Sequence, residues 1–199
     1  MRTIFFDMGK VLVDYDFRLF HDRLCQSGEI DPELLRGALT GNSLHHTYEL
    51  GQLSEDEFHG EVCRRLGKNM PREEFVAAWT GVFLPNPLLS EDLIRRLAAK
   101  AGLWIISNTN KLHFEYLRDR FPFFGLFKGF VLSHEVGAMK PDPRIFREAL
   151  ARAGSKASES LFVDDQLVNV EAARELGIEA FQFLSPDQCW SELRKRQLL

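Results

Sequence analysis

The sequence is poor in cysteine, in excess charge of one sign and in long apolar runs. Its three cysteines in 199 residues, Cys25, Cys63 and Cys189, form no C-x-x-C pair, which argues against a disulfide framework or a zinc site. The formal net charge of -4 gives no electrostatic reason to expect a nucleic acid or an anionic membrane as partner. No apolar run approaches the roughly 20 residues of a membrane span, and no signal peptide is recognisable. We therefore expect a cytoplasmic protein in a reducing setting.

Strand-like and helical sequences alternate along the second half of the chain. The composition, with 45% hydrophobic and 27% charged residues, is that of an ordinary globular protein. The strand-like segments are apolar throughout, as expected for strands that are buried on both faces. This pattern predicts an α/β fold with a doubly wound, Rossmann-like parallel sheet that is covered by helices on both sides. The expected strands are 3–7, 103–107, 130–133, 161–164 and 179–183.

One long interval, from the first expected strand to the second, interrupts this alternation. It contains almost no strand-like sequence, although a parallel crossover needs only about a dozen residues. Phe75, Trp79 and Phe83 recur at a spacing of four, which predicts a helix, and Ser54 with Glu57 forms a capping box. We therefore predict two domains. The core is expected to consist of residues 1–14 and 88–199, and a helical cap of residues 15–87.

Polar side chains stand where the expected strands end. The carboxyl ends of parallel strands meet at one edge of a sheet, where ligands bind near a topological switch point. We expect one group of residues to meet there. They are Asp7, Ser107, Asn108, Lys140, Asp164, Asp165 and Asn169.

These residue types suit the chemistry of a phosphate group. Carboxylates at one point suit Mg²⁺, which prefers oxygen ligands. A serine hydroxyl with adjacent backbone amides can hold phosphoryl oxygens, and a lysine supplies a balancing charge. A further carboxylate could attack phosphorus. Each feature alone also has an ordinary interpretation, such as a helix cap or a solvated loop lysine.

Four segments carry a resemblance to a known family. "FFDMGKVLVD", "IISNTN", "GAMKPDPRIF" and "FVDDQLVNVEAARELGI" resemble, in this order, the four motifs of the haloacid dehalogenase-like (HAD) hydrolase superfamily. The resemblance covers essentially the whole chain and is strongest to the phosphatase branch with a helical cap of the C1 type. Within that branch, the chain is most similar to bacterial sugar-phosphate phosphatases of the α-glucose-1-phosphate phosphatase type.

The resemblance implies a role for each strand-end residue. Asp7 is expected to be the nucleophile that forms an aspartyl-phosphate, and Lys140 its charge partner. The other implied roles are phosphate binding by Ser107, the Asn108 amide and Lys140; Mg²⁺ binding by Asp7, the backbone carbonyl of Gly9 and Asp165; and orientation of Lys140 and metal-bound water by Asp164 and Asn169.

Gly9 departs from the family pattern. Most phosphatases of the family carry an aspartate two residues after the nucleophile, where it protonates the leaving oxygen and then activates water. General acid catalysis typically contributes ~10²–10⁴-fold, so its loss should affect alkyl phosphates most. We consider two hypotheses. Either the substrate has a leaving group that departs easily, such as an anomeric sugar hydroxyl, or a water or a cap residue, His45 or His46, supplies the proton.

The sequence thus predicts a Mg²⁺-dependent phosphomonoester hydrolase that acts, as a monomer, on a small phosphorylated metabolite such as a sugar phosphate. A 2-haloacid dehalogenase is one alternative, because that branch also lacks the acid at position 9. It needs no metal, however, and has no use for Asp164 and Asp165. The other alternative is a non-catalytic protein that binds a phosphorylated ligand or a partner protein, and Gly9 alone favours it.

Overall fold

A computed structural model describes residues 2–26, 30–40 and 44–199 of the chain. Within those ranges, no helix combines the length and the apolarity that crossing a bilayer requires. The strands and α-helices in chain order are β1 (Thr3–Phe6), β2 (Val13–Tyr15), α1 (Arg18–Cys25), α2 (Pro32–Thr40), α3 (Leu44–Glu49), α4 (Glu55–Leu66), α5 (Arg72–Thr80), β3 (Phe83–Pro87), α6 (Glu91–Ala98), β4 (Gly102–Ser107), α7 (Lys111–Arg120), β5 (Gly129–Leu132), α8 (Ser133–Val136), α9 (Pro143–Ala153), β6 (Ser160–Asp164), α10 (Leu167–Glu175), β7 (Glu179–Gln182) and α11 (Pro186–Lys195).

Five of the strands form one parallel sheet in the order β5-β4-β1-β6-β7. β1 lies at its centre, where Thr3 is in register with Gly102 of β4 on one side and with Ser160 of β6 on the other. The chain thus reverses its direction of strand addition beside β1, which creates a topological switch point there. All five expected strands are present, and the predicted doubly wound α/β fold is confirmed.

The central strands are buried on both faces, which explains their uninterrupted apolar sequences. Ile4 and Phe6 point into a cluster that α6, α7 and α11 cover, whereas Phe5 points into a second cluster under α9 and α10. This division follows from the period of two in a strand. Every residue of β1 and β6 is buried, so each side chain packs against one layer of helices or the other.

The five helices α1 to α5, called the cap below, pack around a third apolar cluster of their own. It contains Phe20, Phe58, Phe75 and Trp79, all of which are completely buried. The expected capping box is formed, because Ser54 Oγ accepts a hydrogen bond from Glu57 N and the Glu57 carboxylate accepts one from Ser54 N. The division of the chain into two domains at residues 15 and 87 stays a prediction.

Two features of the interval differ from the sequence expectation. The helix that was expected to carry Phe83 ends at Thr80, and Phe83 begins a strand instead. That strand, β3, pairs antiparallel with β2 in a two-stranded ribbon where the chain leaves and re-enters the core. The sequence does not indicate these two strands. β2 has only three residues, and β3 contains Pro85 and Pro87, although proline is rare in strands other than edge strands.

The cap is attached to the core at the end of α3. The hydroxyl of Ser133, at the start of α8, donates a hydrogen bond of 2.6 Å to the Glu49 carbonyl. Two residues later, Gly51 has a φ of +70° and lies against the backbone of His134, whose carbonyl occupies the place of a Cβ. Only glycine satisfies both the conformation and the contact. This close approach holds the C-terminal end of α3 over the edge of the sheet.

Replacing Gly51 by alanine is expected to weaken this attachment. The positive φ alone costs an L-residue about 1–2 kcal/mol, and the added methyl group must also displace the His134 backbone. Urea unfolding should therefore show a loss of about 2 kcal/mol or more. Gly60→Ala in α4 is the matched control, since a Cβ there meets nothing within 4 Å and helix propensity predicts a gain of about 1 kcal/mol. Equal stability of Gly51→Ala and wild type would contradict the role of this glycine.

Candidate active site

The predicted site residues lie at the carboxyl edge of the sheet, next to the switch point. Asp7 follows β1 directly, Ser107 ends β4 and Asp164 ends β6. Because β4, β1 and β6 are neighbours in register, these three ends come together. The loop between α8 and α9 brings Lys140 to the same place. The site is thus a consequence of strand order.

Lys140 joins two carboxylates. Its Nζ lies 2.7 Å from Asp7 Oδ1 and 2.6 Å from Asp164 Oδ2, and its side chain is 1% exposed. Burial alone would lower the pKa of Lys140, but the charges of Asp164 and Asp7 outweigh burial and raise it. The lysine is therefore a fixed cation. Burial, opposed by Lys140, raises the pKa of Asp7 to about 7.

Asn108 holds the lysine by its backbone. Asn108 Oδ1 accepts a hydrogen bond of 2.7 Å from Lys140 N, and Asn108 Nδ2 donates one of 2.9 Å to Lys140 O. This reciprocal pair ties the loop after β4 to the loop before α9. The resemblance implied only that the Asn108 amide binds phosphate, so the role of its side chain in positioning Lys140 is additional.

Asp164 is surrounded by donors. Besides Lys140, it accepts hydrogen bonds from Gln166 N at 2.8 Å and from Asn169 Nδ2 at 3.0 Å, both on Oδ1. Both oxygens of this completely buried carboxylate are therefore engaged. Asp165, the next residue, is only half-buried and faces the cavity described below. Burial, together with the charge of Asp164, raises the pKa of Asp165.

Three carboxylates offer a place for a divalent cation. Oxygens of Asp7, Asp164 and Asp165 lie within 4.8 Å of one another. Lys140 is the ammonium in contact with this cluster among the described residues, at Asp7 and Asp164, so the three acids together keep a negative charge that a cation can balance. Oxygen ligands of this kind fit Mg²⁺. Since the donors around Asp164 occupy both its oxygens, Asp7 and Asp165 are the carboxylates left for a metal.

A cavity of about 220 Å³ separates this cluster from the cap. Of the residues predicted for the site, eight line it and two do not. Asp164 lies behind Lys140, and His46 is an exposed residue of α3 outside the cavity. The eight that line it are Asp7, Gly9, His45, Ser107, Asn108, Lys140, Asp165 and Asn169.

Tyr15, a residue of β2, fills the space beside Gly9. A Cβ built on Gly9 would lie 2.8 Å from Tyr15 Cε1, well inside van der Waals contact. The tyrosine ring packs edge-on against Phe17 and Phe83, with ring centroids 5.5 and 6.2 Å away. Burial, and then the charge of Asp7, raises the pKa of Tyr15 to about 12, so its hydroxyl stays protonated. The structure therefore has no free space for a side chain at position 9 unless Tyr15 moves.

The cap contributes His45 and Glu49, one turn apart on α3. His45 Nε2 lies 3.2 Å from Glu49 Oε1, but this nitrogen makes no well-aligned hydrogen bond within the described chain. Burial would raise the pKa of Glu49, but the neighbouring His45 outweighs it and lowers this pKa. The sequence leaves open whether Glu49 lines the site, since nothing in it marks which face of a cap helix meets the core.

His113 connects the core to the cap at the side of the cavity. Its Nε2 donates a hydrogen bond of 2.9 Å to the Trp79 carbonyl, and its Nδ1 accepts one of 3.1 Å from Asn110 Nδ2. Its ring stacks on that of Trp79, with centroids 4.9 Å apart. Burial lowers the pKa of His113 from 6.5 to about 4, although the hydrogen bond to Trp79 opposes this. The imidazole is therefore neutral.

The buried His113 is expected to make the protein sensitive to acid. As the pH falls below 6.5, the unfolded chain takes up a proton on this residue before the folded protein does. The contribution of the neutral His113 to the free energy of unfolding is therefore complete above pH 6.5. It decreases by up to about 3 kcal/mol as the pH falls to about 4. Urea unfolding from pH 7 to 4 should give a steeper loss in wild type than in His113→Gln. Parallel curves for the two proteins would contradict this prediction.

Comparison with known proteins places the site in a family. The chain matches the model of the haloacid dehalogenase-like hydrolases over residues 1–177. It is 30% identical to a D-ribitol-5-phosphate phosphatase of Bacteroides thetaiotaomicron, over 92% of this chain and 91% of that protein. It is 26% identical to a sesquiterpene phosphatase of Aspergillus oryzae, over 80% and 82%. A solved HAD family enzyme from Bacteroides thetaiotaomicron, in complex with magnesium and inorganic phosphate, has a TM-score of 0.86 at 26% identity, over 97% and 98% of the two chains.

These similarities extend over nearly the whole chain, cap included. The family match covers all four strand-end segments, which contain Asp7, Ser107, Lys140 and Asp164. The family predicted from those segments is therefore confirmed. The chain belongs to the haloacid dehalogenase-like hydrolases.

Proposed function

We propose that the protein is a Mg²⁺-dependent phosphatase that hydrolyses the monoester of a small phosphorylated metabolite, with Asp7 as its nucleophile. The observation that carries the proposal is the meeting of Asp7, Lys140 and Asp165 at one end of a cavity that the cap covers. Two relatives are phosphatases, which supports a hydrolase acting on phosphoric monoesters.

The geometry of Asp7 suits nucleophilic attack. Its Oδ1 is held by Lys140 Nζ at 2.7 Å and by Met8 N, which donates a hydrogen bond of 2.7 Å. These contacts fix the rotamer of the carboxylate and leave Oδ2 as the oxygen that can face the contents of the cavity. Attack transfers the phosphoryl group to Asp7 and breaks the bond to the leaving oxygen, and water then hydrolyses the aspartyl-phosphate. A charge held by Lys140 stabilises the anionic transition state.

The residues after β4 complete the phosphate-binding end. The Ser107 hydroxyl and the Asn108 amide line the cavity on the side of β1 opposite to Asp165. A hydroxyl and a backbone N–H at a strand end hold phosphoryl oxygens without requiring a second charge. The Asn108 side chain makes two hydrogen bonds to the backbone of Lys140, so the proposed phosphate-binding loop and the lysine are directly linked.

Asp7, Asp165 and the Gly9 carbonyl are the groups that would hold Mg²⁺. The hydrogen bonds of the turn after β1 are accepted by the carbonyls of Met8 and Val13, so that of Gly9 is left for another partner. Bound there, the ion would neutralise phosphate charge as the bond to the leaving group breaks. The relative solved with magnesium and inorganic phosphate supports this assignment.

Glycine at position 9 restricts the leaving groups that the enzyme can release quickly. Tyr15 fills the adjacent space, and its pKa of about 12 makes it a weak acid. Of the two cap histidines considered for proton transfer, only His45 faces the cavity. We propose a sugar phosphate or a related compound whose leaving oxygen either needs little protonation or belongs to a chain whose binding in the cavity lowers the barrier.

The two alternatives make different predictions. A 2-haloacid dehalogenase would not need the acidic pair at Asp164 and Asp165, whose arrangement around Lys140 and the cavity favours a metal-dependent reaction. A non-catalytic binding protein would not need a nucleophile with one oxygen fixed and the other free. Turnover separates all three functions.

Hydrolysis of para-nitrophenyl phosphate should require both Asp7 and Mg²⁺. Asp7→Asn removes the nucleophile and is expected to reduce kcat by about 10³-fold or more, and EDTA should abolish the activity of wild type. Asp165→Asn should raise the Mg²⁺ concentration that gives half-maximal rate. Asp119→Asn, an exposed carboxylate of α7, is the matched control and should retain full activity.

The results also separate the alternatives. Turnover that survives Asp7→Asn would refute the assignment of the nucleophile. Release of halide from a 2-haloacid without metal would instead establish the dehalogenase. A folded wild type that binds inorganic phosphate but hydrolyses no phosphate ester would establish the binding protein.

Introducing the missing acid at position 9 is expected to harm the enzyme. The aspartate of Gly9→Asp must displace the Tyr15 ring, which Phe17 and Phe83 hold, and a displaced cavity wall misplaces the substrate. We expect kcat/KM for para-nitrophenyl phosphate to fall about tenfold. The double variant Gly9→Asp/Tyr15→Ala, measured beside Tyr15→Ala alone, should lose less than the single variant. Faster hydrolysis of alkyl phosphates by Gly9→Asp alone would show that the site has room for the acid.

A further inference from the structure

The cap side of the cavity carries a pair of polar groups that the proposed reaction does not use. His45 and Glu49 project from α3 into the cavity, with His45 Nε2 3.2 Å from Glu49 Oε1. The neighbouring walls are formed by Phe17, Val82 and Phe83. A few polar groups set in an apolar wall are the usual means by which a pocket orients its ligand.

The Glu49 carboxylate is ionised and has acceptor capacity to spare. The neighbouring imidazole lowers the pKa of Glu49 in spite of its burial. A carboxylate has about four lone-pair sites, and His45 engages one of them at most. The Glu49 side chain is 17% exposed, and that exposed part lies in the cavity wall. It can therefore accept hydrogen bonds from a bound molecule.

The backbone that carries this carboxylate is held by the core. The Glu49 backbone carbonyl accepts the hydrogen bond of Ser133 at 2.6 Å, and Gly51 packs against the backbone of His134. Ser133 is in turn held by the loop after β4, since its hydroxyl accepts a hydrogen bond of 2.9 Å from Thr109 N. The part of α3 from which the Glu49 side chain projects is thus held in place relative to the loop after β4.

The charges along the cavity are distributed unevenly. At the Asp7 end, Lys140 and the proposed Mg²⁺ balance Asp7, Asp164 and Asp165. At the cap side, Glu49 is accompanied by two imidazoles, His45 and the neutral His113. The cap side therefore lacks a permanent positive charge among the described lining residues. A substrate whose phosphate lies on Asp7 places its other end in this region.

We propose that Glu49 selects the leaving group, favouring a neutral chain that bears hydroxyl groups over one that ends in a carboxylate or a second phosphate. The inference rests on the proposed phosphatase function and names the substrate class of that site: a polyol or sugar phosphate. Hydroxyl groups donate to the carboxylate, whereas an anionic group is repelled by it in a partly desolvated wall. Hydrogen bonds to a charged partner are strong enough for a discrimination of about tenfold to a hundredfold.

A matched pair of substrates tests this selection. Sorbitol 6-phosphate and 6-phosphogluconate are linear six-carbon chains with the same phosphate, and they differ only in a hydroxymethyl or a carboxylate group at the far end. Wild type should have a kcat/KM for the first that is at least about thirtyfold higher. Glu49→Gln should reduce this ratio about tenfold or more, by slowing the first reaction and relieving repulsion in the second. Glu74→Gln, an exposed carboxylate of α5, should leave the ratio unchanged.

Activity on para-nitrophenyl phosphate tests the phosphatase function independently of the proposed role of Glu49. If wild type hydrolyses it with Asp7 and Mg²⁺ but the ratio is the same in Glu49→Gln, the selection by Glu49 is refuted and the phosphatase stands. If wild type hydrolyses no phosphate ester, the proposed function itself fails. Glu49→Asp, which keeps the charge, should preserve discrimination against the carboxylate. Should Glu49→Gln fail to fold, Glu49→Ala provides the neutral variant for the same ratio.

Discussion

The buried ammonium of Lys140 is the group on which the rest of the site depends. It lies within 2.7 Å of both Asp7 and Asp164, in a place from which water is almost excluded. An unpaired charge at such depth costs several kcal/mol, so neither acid nor the lysine is stable there without the others. Asn108 fixes the lysine by its backbone, and the donors around Asp164 fix that acid. Of the two carboxylates that contact Lys140, only Asp7 has an oxygen that accepts no hydrogen bond from the described residues, and this asymmetry sets it apart as the proposed nucleophile.

The two ends of the cavity are formed by different parts of the molecule, one by the sheet and the other by the cap. Strand order brings Asp7, Ser107 and Asp164 together, and any chain with this order and these residues would have the same phosphate end. The other end of the cavity depends on how α3 is placed over the sheet, which is determined by the Ser133 hydrogen bond and the close approach at Gly51. We therefore propose that the sheet carries the chemistry and that the cap selects the leaving group. A change at Gly51 should affect selection before it affects chemistry.

The sheet and its strand-end residues could be predicted from sequence because each depends on local pattern. An apolar run that stops at Asp7 or at Asp164 indicates a buried strand and a polar edge without knowledge of distant residues. Tyr15, Glu49 and His113 could not be found in this way. Their positions depend on the docking of cap and core, which is a long-range contact. They also depend on the β2–β3 ribbon, which the sequence does not indicate because β3 contains prolines. His45 and His46 were indistinguishable in sequence, and only the orientation of α3 separates them.

The glycine at position 9 and the carboxylate at position 49 both bear on how the leaving group departs. A phosphatase with an acid beside its nucleophile can hydrolyse many alkyl phosphates, and its leaving-group site needs to contribute little to the rate. With Tyr15 in the place of that acid, proton donation is weak, so the barrier must fall by other means. Binding energy from remote parts of a substrate can lower it when it is realised in the transition state. A carboxylate that accepts hydrogen bonds from hydroxyls of the leaving group, as we propose for Glu49, would be one source of such energy. Loss of the acid therefore makes the enzyme depend more strongly on the fit of the leaving group, and truncated substrates should lose kcat as well as affinity.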